Sequence, residues 1–151
     1  HPNIAPYEVL PTGSGDIILA VGNDGQFARA CGVLGLTGLV GDPRFATNEA
    51  RVANRVVLRE SLVAALITWD RAELLAAFEA ATVPAGPINT LDQVFADPQV
   101  IARGMQIDSE GVPGLRLPIR LSESPLAPAH AAPALASVDA APAGWRPREE
   151  G

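Results

Sequence analysis

Lysine is absent from the 151-residue chain, and all eleven of its basic side chains are arginine. That excludes chemistry built on an amine side chain: no Schiff base can form, and no phosphate-loop lysine is available. Cysteine occurs once, as Cys31. A lone cysteine forms no internal disulfide, builds no thiolate metal site and points to a reducing compartment. The only histidines are His1 and His130. No H-x-x-x-H pair or carboxylate cluster at ligand spacing accompanies them, so no metal site is expected. No apolar run approaches the ~18 residues of a membrane span. The longest candidate, Leu62 to Trp69, reads as a core helix. No charged-then-apolar leader opens the chain, and a cytoplasmic location is the expectation.

Seventeen acidic residues oppose the arginines, giving a net charge of −6 and an isoelectric point near 4.8. An acidic chain without a basic block is a poor partner for nucleic acid. Hydrophobic residues make up 48% and charged residues 19%, which suits a packed core. The length fits one domain, or a small domain plus a tail. The first residue is His1 and the only methionine is Met105, so a piece of something longer, or a processed product, is expected.

Tyr7 to Leu10 and Asp16 to Val21 are short apolar runs around Thr12-Gly13-Ser14-Gly15, which predicts a β-hairpin. Asn23 with Gln26 is a capping-box pattern, Phe27, Cys31 and Leu34 share one helical face, and Gly35 ends that helix. Asp42-Pro43 reads as a helix start, with helix continuing from about Thr47. Leu58, Leu62, Leu66 and Trp69 form a helical stripe, and Asp70 with Glu73 caps the next helix, which carries Leu74, Leu75 and Phe78. The prolines of Val83-Pro84-Ala85-Gly86-Pro87-Ile88 restrict that extended segment to a sheet edge. Thr90 with Gln93, and Asp97-Pro98, begin two short helices. Met105 to Ile107 and Leu115 to Ile119 read as paired strands around a Gly/Pro turn. Alanine and proline fill 14 of the last 30 residues, from Ser122 on, and predict an extended, mobile tail.

Local chemistry assigns no catalytic residue. Cys31 on an apolar face reads as a small core hydrophobe. Ser14, Ser61, Ser109, Ser122 and Ser124 show no G-x-S-x-G elbow. Asp24, Asp42, Asp70 and Asp97 stand at helix starts, where capping explains them. Gly22-Asn23-Asp24-Gly25 joins a strand to a helix, a context that can bind phosphate. Its own capping side chains take up the free N–H groups, and Asp24 repels an anion, so it reads as a structural turn. Arg51, Arg55 and Arg59, with Arg44 upstream, form a guanidinium stripe that reads as a solvated or docking face. A phosphate or acidic partner is its functional alternative.

The order of phrases goes further. His1-Pro2-Asn3-Ile4-Ala5-Pro6-Tyr7 leads into Pro11-Thr12 and then Gly15-Asp16-Ile17-Ile18-Leu19-Ala20-Val21-Gly22-Asn23-Asp24, closed by Gln26-Phe27. Asp42-Pro43-Arg44-Phe45-Ala46-Thr47-Asn48 and Arg51-Val52-Ala53-Asn54-Arg55 follow. Val83-Pro84-Ala85-Gly86-Pro87-Ile88-Asn89, Asp97-Pro98-Gln99-Val100 and Arg103-Gly104-Met105 complete the set. Together, from His1 to about Pro125, they resemble the C-terminal part of family III CoA-transferases, the group that includes formyl-CoA transferase, carnitine CoA-transferase and α-methylacyl-CoA racemase.

The resemblance implies a large Rossmann-like domain beside a small α+β domain, and two chains interlocked as a homodimer. It implies an aspartate nucleophile in the large domain, upstream of this chain. That aspartate attacks the acyl-CoA thioester, forms an acyl-enzyme anhydride and passes CoA to an acceptor acid. The substrates implied are an acyl-CoA and a carboxylic acid acceptor, with CoA thioester as substrate and no covalently bound cofactor. No catalytic residue is carried over to this chain. His1, Pro2, Asn3 and Tyr7, where the chain leaves the large domain, are the expected substrate-binding residues. A glycine-rich loop covers the thioester near this point in some members, where this sequence has His1-Pro2-Asn3. Family chains also end with a Gly-x-His-Thr-like phrase, which Ala127 to Gly151 lacks.

The expected fold is α+β: a small domain with an N-terminal β-hairpin and a helical cluster, then a short β return segment and a disordered tail. Residues 1–100 are expected to be the small domain, 101–121 a return segment packing on the large domain, and 122–151 the tail. The rival reading is a non-catalytic, truncated binding or dimerisation module. A third, a CoA or adenine-nucleotide binder acting alone, rests on the Gly22 turn and the arginine stripe.

Overall fold

A computed structural model describes residues 1–124 and residue 131. The rest of the expected tail, His130 included, lies outside the described residues. The chain divides into two compact units, His1–Asn89 and Thr90–Gly151.

The first unit is built on an antiparallel sheet with β2 (Gly15–Ala20) between β1 (Tyr7–Thr12) and β3 (Ala85–Pro87). Tyr7 pairs with Ala20 and Thr12 with Gly15. Directly paired residues share a face. Leu10 and Ile17 are such a pair, and with Leu19 they are fully buried, whereas Val9 on the other face is exposed. Helices α1 (Asp24–Val33), α2 (Asn48–Ala53), α3 (Arg55–Leu66) and α4 (Arg71–Ala80) supply the rest of the core, through Phe27 and Cys31, Leu58, Leu62 and Leu66, and Leu74 and Phe78. Pro84 and Pro87 have no N–H to donate, which restricts β3 to the edge predicted for it.

The hairpin tip is docked on the α3–α4 junction. Gly13 N–H donates to the Trp69 carbonyl at 2.9 Å. A Cβ on Gly13 would lie 2.9 Å from both the Ile67 and Trp69 carbonyl oxygens, so only glycine fits. Ser14 Oγ donates to Asp70 at 2.7 Å and accepts from the Arg71 N–H. Asp70 in turn caps α4 by accepting from the Ala72 and Glu73 N–H groups. The Ser14 hydroxyl, then these backbone donors, hold the Asp70 carboxyl below its usual range.

Two helices close with the same hydrogen-bond pattern on different residues. After α1, Leu36 N–H reaches back to the Cys31 carbonyl and Gly35 takes φ +70°. After α4, Val83 N–H reaches back to the Phe78 carbonyl, but the left-handed position is Thr82, at φ 53°. Glycine adopts that conformation without steric cost, and a β-branched residue does not. Thr82→Gly is therefore expected to raise stability by ~1 kcal/mol despite its added chain entropy, as read from the urea midpoint.

The stretch from Asp42 differs from the expected helix start. It makes one turn, with Phe45 and Ala46 N–H groups on the Asp42 carbonyl, and helix begins only at Asn48. Asp42 is occupied by Arg44, through its backbone N–H and its guanidinium at 2.7 Å. Thr47 opens a new cap by accepting from Ala50 N–H, and Asn54 separates α2 from α3.

The second unit holds α5 (Leu91–Ala96), α6 (Pro98–Ala102) and a hairpin of β4 (Gln106–Ser109) and β5 (Val112–Leu115). Thr90 N–H donates to the Gln93 side chain, and Asp97 caps α6, as the sequence predicts. The second strand is displaced from the expected Leu115–Ile119 run. Asp108 accepts from Gly111 N–H and closes a tight turn there, so β5 begins at Val112. None of the described residues of this unit is buried, and Leu91, Ile101, Leu115, Leu117 and Ile119 are exposed.

Candidate functional site

Four side chains at helical spacing face the opening segment. Asn48 lies on α2; its amide oxygen accepts from Ala5 N–H at 3.2 Å and its amide nitrogen donates to the Asn3 carbonyl at 2.9 Å. Arg51 Nε donates to the Ala5 carbonyl at 2.8 Å. Arg55 Nη2 donates to the Pro2 carbonyl at 2.8 Å and the His1 carbonyl at 3.3 Å. Arg59 Nε donates to Glu8 at 3.0 Å. Residues 1–8 are thus held from one side by the α2–α3 stripe.

The arrangement follows from the segment's composition. Pro2 and Pro6 remove two N–H donors, so the segment cannot build a regular ladder of its own. Its carbonyls remain and need donors, and arginine supplies several on one planar group. Within the segment, the His1 and Tyr7 rings stack with centroids 5.6 Å apart and planes 4° from parallel. His1 Nδ1 accepts from Asn3 N–H at 3.1 Å. A cleft of about 170 Å³ opens beside the stack, with Arg55 and Arg59 also in its wall. Of the residues expected at the substrate, His1 and Tyr7 line this cleft, and Pro2 and Asn3 do not.

The arginine stripe departs from the solvated or docking face read for it at one member. Arg51 is fully buried. Besides Ala5 it donates to the Phe45 carbonyl at 3.0 Å and to Asp24 at 2.8 Å, and its guanidinium lies 4.5 Å from the Phe27 ring centroid. Arg55 and Arg59 are exposed but engaged. The phrases in which Asn48, Arg51 and Arg55 stand do not show that these side chains bond the opening segment. The available signal is donor residues at 48, 51, 55 and 59 opposite a proline-broken segment rich in free carbonyls.

Other candidates resolve as structure. Gly22 N–H donates to the Gln26 side chain at 2.7 Å and Gln26 N–H to Asn23 at 2.9 Å, so the turn at residues 22–25 uses these donors itself. Asp24, expected to cap alongside Asn23, turns instead to Arg51 at 2.8 Å. Among the described residues no group of three or more His, Cys, Asp or Glu is placed to hold a metal. A wider groove of about 560 Å³ between α4 and β3 has Glu79 as its one titratable wall residue and offers no acid–base pair.

Cys31 is buried, and burial pushes its thiol up to about 11 despite the Arg51 charge. A shift from 9.0 to about 11 lowers the thiolate fraction near pH 8 by about 100-fold. Modification by an aromatic disulfide reagent is expected to be at least ~100-fold slower in the native protein than in urea. Equal rates would show that Cys31 is accessible.

The fold and this surface define a class: a small α+β module that presents a clamped leading segment beside a helical stripe. The family model described as CoA-transferase family III matches residues 1–137, and the chain belongs to that family. It is 51% identical over 131 residues to a succinate–glutarate CoA-transferase of Agrobacterium fabrum, covering 83% of this chain and 33% of that protein. It is 37% identical over 110 residues to a human succinyl-CoA:glutarate CoA-transferase, covering 73% of this chain and 25% of the relative. The crystal structure of a CAIB/BAIF family protein from Brucella suis superposes with a TM-score of 0.76 at 56% identity, over 82% of this chain and 33% of that one. The chain spans a quarter to a third of the length of these relatives.

Proposed function

We propose that this chain is the C-terminal portion of a CoA-transferase that moves CoA between carboxylic acids. The observation that carries the reading is the 51% identity to a succinate–glutarate CoA-transferase across most of the chain. In this reading a carboxylate of an aspartate upstream of residue 1 attacks the thioester carbonyl. The carbon–sulfur bond breaks, CoA leaves as thiolate, and an acyl-aspartyl anhydride remains. The CoA thiolate then attacks the aspartyl carbonyl, the donor acid leaves as carboxylate, and an aspartyl-CoA thioester remains. The acceptor carboxylate displaces CoA from it to form a second anhydride, and CoA thiolate attacks the acceptor's acyl carbon, which releases the new thioester and the free aspartate. Two chains are interlocked as a cytoplasmic homodimer.

Within that protein, residues 1–100 form the small domain and residues 101–121 return to the large one. The exposed Leu115, Leu117 and Ile119 supply an apolar face for that packing. His1, Pro2, Asn3 and Tyr7 face the substrate, held by the stripe on α2 and α3. A carboxylate is a weak nucleophile, so the role of such a segment is to orient the acyl group and exclude water.

The test uses the full-length protein with succinyl-CoA and glutarate. Transfer of CoA to glutarate, with an acyl or CoA adduct mapped by mass spectrometry to an aspartate outside residues 1–124, is the expected result. No transfer with any carboxylic acid pair, together with dimerisation, would replace this reading with the non-catalytic module.

A further inference from the structure

We propose that Arg55 is a positioning residue for CoA transfer, orienting the His1–Tyr7 segment rather than supporting the fold. The proposal rests on the function proposed above. The segment carries prolines at residues 2 and 6, so donors outside it must set its shape. Asn48 and Arg51 grip its middle, at Asn3 and Ala5. Within the segment, the His1 nitrogen donates to the Tyr7 carbonyl at 2.8 Å and His1 Nδ1 accepts from Asn3 N–H; Arg55 supplies the tie from residues 1 and 2 to α3. One nitrogen of Arg55 bonds two successive carbonyls, those of His1 and Pro2. The His1 ring belongs to one of these two residues, and its Nδ1 accepts from Asn3 N–H at 3.1 Å. That ring in turn stacks on Tyr7.

Arg51 and Arg55 occupy neighbouring turns but serve different ends. Arg51 is fully buried and ties the segment to the Phe45 turn, to Asp24 and to Phe27. Its loss opens the core. Arg55 is exposed, and among the described residues its hydrogen bonds go only to the segment. Its loss leaves the core intact and removes the bonds that tie the His1 and Pro2 carbonyls to α3. A reacting group displaced by ~1 Å loses about 100-fold in rate, so a shift of residues 1 and 2 is read in turnover.

The experiment compares Arg55→Ala and Arg55→Lys with wild type in the full-length protein. It measures kcat, KM for acyl-CoA and acceptor, and the thermal midpoint. Arg55→Ala is expected to lower kcat by about 10–100-fold, with KM for acyl-CoA within about 3-fold and a midpoint within ~2 °C. Arg55→Lys retains a donor for the two carbonyls and is expected to recover part of kcat. Unchanged kcat in Arg55→Ala overturns the proposal. So does a raised KM at unchanged kcat, which makes Arg55 a direct substrate contact. So does a kcat loss that tracks a lowered midpoint and is not recovered by lysine. Wild type that transfers no CoA removes the proposed function, and this proposal with it. A wild type that transfers beside an unaffected Arg55→Ala removes this proposal alone.

Discussion

Arg51→Ala is expected to destabilise the first unit by ~3–4 kcal/mol, the largest effect of any charged residue among the described residues. The substitution removes two charge-assisted bonds, to the Ala5 and Phe45 carbonyls, and the ring contact with Phe27. It also empties the space of the largest fully buried side chain. The Asp24 side chain is 61% exposed, so it returns to water and adds little to the loss. The urea midpoint followed by circular dichroism gives the size. Arg51→Met separates the contributions. Methionine refills most of the volume but leaves the carbonyls unpaired, so a loss of ~1–3 kcal/mol should remain. A neutral Arg51→Met would mean that the buried cation contributes nothing net, as happens for some buried ion pairs. Arg59→Ala is the contrast: both members of the Arg59–Glu8 pair are partly solvated, and its effect should stay below ~1 kcal/mol.

Phe78→Ala should cost ~3–5 kcal/mol. Phe78 is fully buried on α4, in the same core cluster as the buried sheet residues Ile17 and Leu19. Its backbone carbonyl also receives the Val83 N–H that closes the helix, and that bond survives the substitution. The loss is therefore one of packing: apolar area returned to water plus a cavity its neighbours cannot fill. A loss below ~1.5 kcal/mol would show that the core collapses into the space.

Most of the fold is legible because its causes are local. The hairpin follows from alternating burial around a Gly-Ser turn, and Asn23, Asp70 and Asp97 cap helices at the positions read for them. The leucines of α3 are buried as their spacing predicts. Arg51 is not legible, because its burial is set by the carbonyl of Ala5, 46 residues away. Spacing alone makes it look like Arg55 and Arg59. The β5 register is hidden for a different reason. The apolar run Leu115 to Ile119 is the stronger strand pattern, but the Asp108–Gly111 bond sets the turn four residues earlier. The candidate site is half legible. Asn48, Arg51 and Arg55 stand in the ordered phrases, but their hydrogen bonds to residues 2–5 span more than 40 residues of chain, which no phrase shows.

The order of strands in the first sheet has a mechanical consequence. Tyr7, where the chain joins β1, lies opposite Ala20, whereas Pro87, where it leaves β3, lies opposite Ile17. The two connections therefore run off opposite ends of β2. Tension between them slides β1 and β3 past β2 in contrary directions. The hydrogen bonds of both ladders then share the load at once, in shear, instead of parting one by one as in unzipping.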